Sequence, residues 1–219
     1  MRKHLLLFSF LSVLSINSAF AKTGPSCKDI DKAISANEDF VEVALGIDQL
    51  PIGPALQTIK DTFKSVESGM ISAAKIEALT QIDAIELNIS KNDLPLAAVA
   101  AIETYKVLIG NYENRLPTPL DTALLDYVGF KLLSLTAAKI LNWPEIAKTV
   151  AEGQASLEQT KAALKDQALV DLADSITTAL TASLAAKDSA WLGSSAQILL
   201  DSVDLVERLV KNVDKDACS

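Results

Sequence analysis

Apolar residues recur along this chain at spacings of three and four, the mark of helices that bury one face. The breaks in that pattern hold prolines, glycines or short polar runs. Proline removes a helix hydrogen bond and collides with the preceding turn. Pro25, Pro51, Pro54, Pro95, Pro117, Pro119 and Pro144 therefore mark helix starts and ends. Alternating β-branched runs and Asn-Gly or Asp-Gly hairpin turns are missing. The predicted fold class is all-α: an antiparallel helical bundle built of αα-hairpins, with about eight helices, short ones included.

The pattern predicts helices over 29–45, 54–68, 70–90, 94–113, 120–141, 143–164, 167–186 and 189–212. The third carries Ile71, Ala74, Ala78, Ile82, Ile85 and Ile89 on one face. Thr118-Pro119-Leu120-Asp121 reads as a cap, a first-turn proline and an early acid opening the fifth. Asn142, with Glu145 three residues on, caps the sixth, and Asp188-Ser189 caps the eighth. The fifth helix is apolar on nearly all sides, through Leu124, Leu125, Tyr127, Val128, Phe130, Leu132, Leu133, Leu135 and Ile140. That predicts a central place in the domain, and Asp126, Lys131 and Lys139 argue against a membrane span there. Polar turns at Asp93, Asn142 and Asp188 each precede a bulky helix start. Their spacing matches one αα-hairpin, a faint repeat that ordinary capping needs also explain.

The first 21 residues read differently. A basic start, Met1-Arg2-Lys3-His4, leads into an apolar run from Leu5 to Ile16. Ala19 and Ala21 then form an A-x-A cleavage pattern, which predicts a secretion signal cut after Ala21. The run is shorter than the ~20 residues of a spanning helix. The expectation is a periplasmic or secreted protein with a single all-α domain over 22–219 and no transmembrane segment once the signal is gone.

Export changes the charge and the chemistry. Arg2, Lys3 and His4 leave with the signal, taking the basic residues from 20 to 18 against 28 acids, a net charge of −10. An acidic chain keeping only Arg115 and Arg208 is a poor match for nucleic acid. The mature chain contains no histidine. A Ser-His-Asp or Cys-His nucleophile, an HExxH zinc site and a His-ligated haem are all excluded. There is no GxGxxG and no Walker phosphate loop.

The two cysteines, Cys27 and Cys218, lie near the two ends of the mature chain. In an oxidising compartment such a pair predicts a disulfide. Closing a loop that long stabilises by up to ~5 kcal/mol in the chain-entropy description. An up-and-down array brings its ends together when the helix count is even, as eight is.

Carboxylates and tyrosines remain as candidate chemistry. Asp204 and Glu207 share a helix face one turn apart. Glu103 precedes Tyr105, and Asp126 adjoins Tyr127, within apolar helices. If Glu103, Asp126, Asp204 and Glu207 converge inside the bundle, they form a hard oxygen site for calcium or iron. The competing expectation is that most acids are solvated helix faces, and that Tyr105, Tyr127, Trp143 and Trp191 are packing residues. Gly129, Gly153 and Gly193 fall inside helices, where close helix approach or a ligand against the backbone would explain them.

Three functions follow in order. The first is an exported, non-enzymatic helical bundle binding a partner protein or an apolar small molecule. The second is a carboxylate-based metal-binding bundle. The third is a hydrolase working without histidine, against which the 5% aromatic content speaks, since a glycosidase-like cleft is expected to be lined by aromatics.

Overall fold

The computed structural model describes residues 24–116 and 118–209. The proposed signal and Cys218 lie outside the described residues. Within them the chain forms eight α-helices and no strand: α1 (Cys27–Ala44), α2 (Ile52–Val66), α3 (Ser72–Ser90), α4 (Leu94–Asn111), α5 (Leu120–Ala137), α6 (Trp143–Ala163), α7 (Gln167–Ala186) and α8 (Ser189–Leu209). Short 3₁₀ turns, Glu67–Gly69 and Glu113–Arg115, follow α2 and α4.

The caps set most of the starts. Asp93, Asn142 and Asp188 accept from the backbone N–H groups of Leu96, Glu145 and Trp191, satisfying donors that have no partner within the helix. Ser26 does the same for Asp29, so α1 begins at Cys27, two residues earlier than the pattern predicts. Pro54 does not open α2 but sits inside its first turn, where its missing N–H costs nothing.

Thr118 departs from its predicted role. Pro119 occupies the N-cap position of α5, and the Thr118 hydroxyl instead donates to Glu207 Oε1 at 3.2 Å. At its other end α5 stops at Ala137, four residues short of the predicted Leu141. Asn142 fixes the start of α6, and the intervening residues are needed to reverse the chain; Ile140 is left 87% exposed there.

The helices close into two four-membered circuits. In the first, α1 packs on α2 and α4, α3 packs on α4, and α2 touches α3 lightly. In the second, α5 packs on α6 and α8, and α7 joins α6 to α8. The circuits meet where α4 lies against α5, and α1 also touches α5. A continuous apolar core runs through both, from Ile30 and Phe40 of α1 to Leu199 and Val203 of α8.

The central position of α5 follows from its composition. Residues around its whole circumference are buried, including Leu125, Tyr127, Val128, Leu132 and Leu135. Two glycines bring its neighbours close. A Cβ on Gly153 of α6 would stand 2.7 Å from Val128, and one on Gly129 of α5 would stand 2.6 Å from Leu200 of α8. Close helix approach therefore accounts for both.

The predicted face of α3 is buried at Ala78, Ile82 and Ile85, while Ile71, which precedes the helix, is exposed. Among the described residues one helix, α7, is long and apolar enough by composition to cross a membrane. It was α5 whose composition invited that reading; α7 gains its hydropathy from Ala and Leu. It packs Leu169, Ala173, Ile176 and Leu180 into the bundle and leaves Asp171 and Asp174 exposed.

Candidate functional site

Helix α1 presents Asp31, Ile34, Ser35 and Glu38 at helical spacings of three and four, hence on one side. That side faces a pocket of about 240 Å³. Tyr105 and Ile109 of α4, Leu116 and Thr118 of the α4–α5 connection, Ala123 and Asp126 of α5 and Glu207 of α8 complete its wall. Among the described residues, four carboxyl groups line it and no lysine or arginine does. The Tyr105 hydroxyl donates to the Ala123 carbonyl at 3.0 Å, which fixes the buried ring in the pocket floor.

The carboxyl groups are electrostatically strained. Burial pushes Glu38 up to about 7, and the negative charges of Glu207, Asp39, Glu42 and Asp204 push in the same direction. Asp126 is raised well above the carboxylate range, first by burial and then by Glu38, Glu207 and Asp204. Although Asp126 keeps some exposed surface, its carboxyl is crowded by protein, and it makes no hydrogen bond or ion pair with any described residue. Glu207 is raised by burial, with the Thr118 hydroxyl acting the other way and Asp204 adding to the rise. Asp31 is raised by burial too.

A second group of acids lies between α4, α5 and α6 and has the opposite character. Lys131 of α5, 3% exposed, places its Nζ 2.7 Å from Glu103 Oε1 and 2.6 Å from Glu145 Oε1. It also reaches the Tyr127 hydroxyl at 2.8 Å, and that hydroxyl donates to Glu103 Oε1 at 3.0 Å. Burial alone would lower the Lys131 pKa, but the bonds to Glu103, Glu145 and Tyr127 outweigh it and raise it. Glu145 is correspondingly lowered, chiefly by its bond to Lys131. Lys106, paired with Glu152, stacks 4.3 Å from the Tyr127 ring centre.

The four acids predicted from sequence are thus divided. Asp126 and Glu207 face one pocket, and Asp204, exposed on α8, contributes its field to them. Glu103 belongs to the Lys131 cluster instead. Among the described residues, no three acids stand close enough together to hold a metal ion. Sequence reasoning missed Glu38 and Asp31. Their local signal was weak, since Asp31 and Glu38 share a mostly polar side of α1 with Ser35 and only Ile34 is apolar there. Lys131 was noticed only as a break in hydrophobicity. Tyr105 and Tyr127 are packed in the core as expected, and each also carries a polar role through its hydroxyl.

Comparison of the chain with protein-family models, with curated proteins and with solved structures returned no match.

Proposed function

We propose that this is an exported binding protein whose pocket between α1, α4, α5 and α8 takes a small organic cation. The observation that carries the reading is four carboxyl groups on one 240 Å³ pocket with no basic residue in its wall among the described residues. Gathering like charges is unfavourable unless a cation offsets them. The volume exceeds the ~30 Å³ share of one water several times over. Ile34, Ile109, Leu116 and Tyr105 give the wall an apolar part suited to an alkyl chain. An ammonium or guanidinium group on a short apolar body fits this chemistry better than a bare metal, which needs tighter convergence of ligands.

Export and a Cys27–Cys218 disulfide belong to the same proposal. Asp31, one turn beyond Cys27, and Glu207, near the last described turn of α8, line the same pocket. The nine residues from Val210 to Cys218 have a reach of at most ~30 Å. Mass spectrometry of the unreduced mature protein tests the bridge, and two free thiols would reject it.

The binding test is a thermal-shift and calorimetric screen of the mature protein with butylammonium, tetramethylammonium, guanidinium, calcium and ferrous iron. Stabilisation by the organic cations, lost in Asp126→Asn, is expected. Response to calcium or iron alone would restore the metal reading, and no response to any cation would reject both.

A second reading, a docking face for a partner protein, has one observation in its favour. Trp191, Ile198 and Leu205 recur every seven residues on α8 and are 44%, 50% and 43% exposed. Light scattering of the wild type and of Ile198→Lys tests whether that face mediates association.

A further inference from the structure

We propose that the cleft between α4, α5 and α6 is a second binding site, built for a short peptide of about three residues with free ends and small apolar side chains. The site goes beyond the organic-cation reading and shares no lining residue with that pocket.

The cleft has a volume of about 340 Å³. Glu152, Ala155, Ser156 and Gln159 recur on α6 at spacings of three and four, so they share the face that lines it. Asp121, Leu124 and Val128 do the same on α5, and Lys106 reaches in from α4. Helices α5 and α6 are consecutive, joined by a short connection and packed together, so they run antiparallel. Their register is given by Gly153, whose added Cβ would meet Val128. Lys106, bonded to Glu152 at 3.2 Å, therefore marks one end of the cleft, and Asp121 and Gln159 mark the other. Two turns of α6 separate Glu152 from Gln159, a rise of about 10 Å.

Ser156 is the residue that points to a ligand. It is 6% exposed, and its hydroxyl makes no hydrogen bond with any described residue. The other buried serines among the described residues, Ser134, Ser183 and Ser195, each donate to the carbonyl four residues earlier. Ser156 forgoes that bond and lines the cleft instead. A buried hydroxyl without a partner is unfavourable, and an incoming amide group would satisfy it.

The two ends define the rest of the ligand. A lysine ammonium has three donors. Lys106 gives one to Glu152 and holds its charge 4.3 Å from the Tyr127 ring centre, which leaves donors for a carboxylate. Tyr127 is itself held by Glu103 and Lys131, so this anchor is fixed in place. At the far end Asp121 offers a carboxylate to an ammonium. Leu124, Val128 and Ala155 supply the apolar wall between them. Three extended residues span at most ~10 Å. A peptide of that length brings its carboxylate to Lys106 and its ammonium to Asp121, with an amide beside Ser156. A single free amino acid is too short to reach both.

The experiment is calorimetry of the purified protein with trialanine, its C-terminal amide, its N-acetyl form and ω-aminohexanoate. Trialanine is expected to bind, and each capped form to bind about tenfold more weakly, because each loses one charged contact. The aminohexanoate carries the same end charges without an amide between them, and is expected to be weaker than trialanine. Ser156→Ala should weaken trialanine severalfold without lowering the melting temperature, since no bond within the protein is removed. Lys106→Met should bring trialanine and its amide to equal affinity. Asp126→Asn, which disables the acidic pocket, should leave trialanine binding unchanged, so the two sites fail separately. Loss of trialanine binding in that variant would place the peptide in the acidic pocket and overturn this site. Failure of the wild type to bind trialanine, or equal affinity for trialanine, its amide and the aminohexanoate, would overturn it as well.

Discussion

Asp126 and Tyr127 are adjacent on α5 and look into two different worlds. Asp126 faces α1 and α8, where Glu38, Glu207 and Asp204 repel it and no described cation answers. Tyr127 faces α4 and α6, where Glu103 and Glu145 converge on Lys131. Both regions are acidic and partly buried. One contains a lysine and closes into a bonded network; the other, among the described residues, lacks one. The difference teaches that a buried acid is structural or functional according to what the neighbouring helix supplies. One side chain decides it.

The strongest way to break this contrast is to remove the lysine. Lys131→Ala leaves Glu103 and Glu145 without their partner and opens a hole in α5. A loss of about 3 kcal/mol is expected, at the low end for a broken buried pair because both glutamates keep some access to water. Denaturant unfolding should record it, and a loss below ~1 kcal/mol would show that the cluster is no clamp.

The pocket should respond in the opposite direction. The folded-state pKa of Glu38, about 7, lies above its ordinary 4.5. Its stabilising protonated form is fully present below about 4.5 and is lost as pH rises through about 7. Unliganded protein should therefore be more stable at pH 5 than at pH 8. Glu38→Gln should recover up to ~3 kcal/mol at pH 8 and flatten the profile. A melting temperature that climbs between pH 5 and 8 would contradict this outright.

The two regions can be separated within that profile. Lys131 is raised above its ordinary 10.5, so its contribution is fully present throughout pH 5 to 8. Glu145 is lowered, so its contribution fades only on acidification below its ordinary 4.5. Lys131→Ala should lower the whole curve without changing its slope over pH 5 to 8. A changed slope would mean that the two clusters are electrostatically linked.

The smallest effect concerns the seam beside both. Gly153→Ala adds a methyl group that must displace Val128. Better helix propensity returns up to ~1 kcal/mol, and overpacking costs about 1–3 kcal/mol, so a net loss of roughly 1 kcal/mol is expected. A gain in melting temperature would show that α5 and α6 have room to part.

Much of the fold was legible because helices announce themselves locally. Asn142 and Asp188 cap the helices that their positions predict, and the all-round apolarity of α5 matches its central place. Where the reading slipped, a distant partner was responsible. Thr118 has the sequence of a cap, but its hydroxyl is taken by Glu207, 89 residues away. The candidate site was half legible. Asp126 and Glu207 stood out as acids in apolar surroundings and do share a pocket. Glu103 had the same local signature, and only the position of Lys131 assigns it elsewhere.

The sequence by itself determined the helical class, the helix starts to within two residues, and the excess of acids. Each depends on neighbours in the chain or on composition, which need no tertiary information. Only the tertiary structure decided which acids meet, which are paired and which are left without a described cation. Those outcomes depend on distances between helices far apart in sequence, where Coulomb energy and desolvation change over a few ångströms.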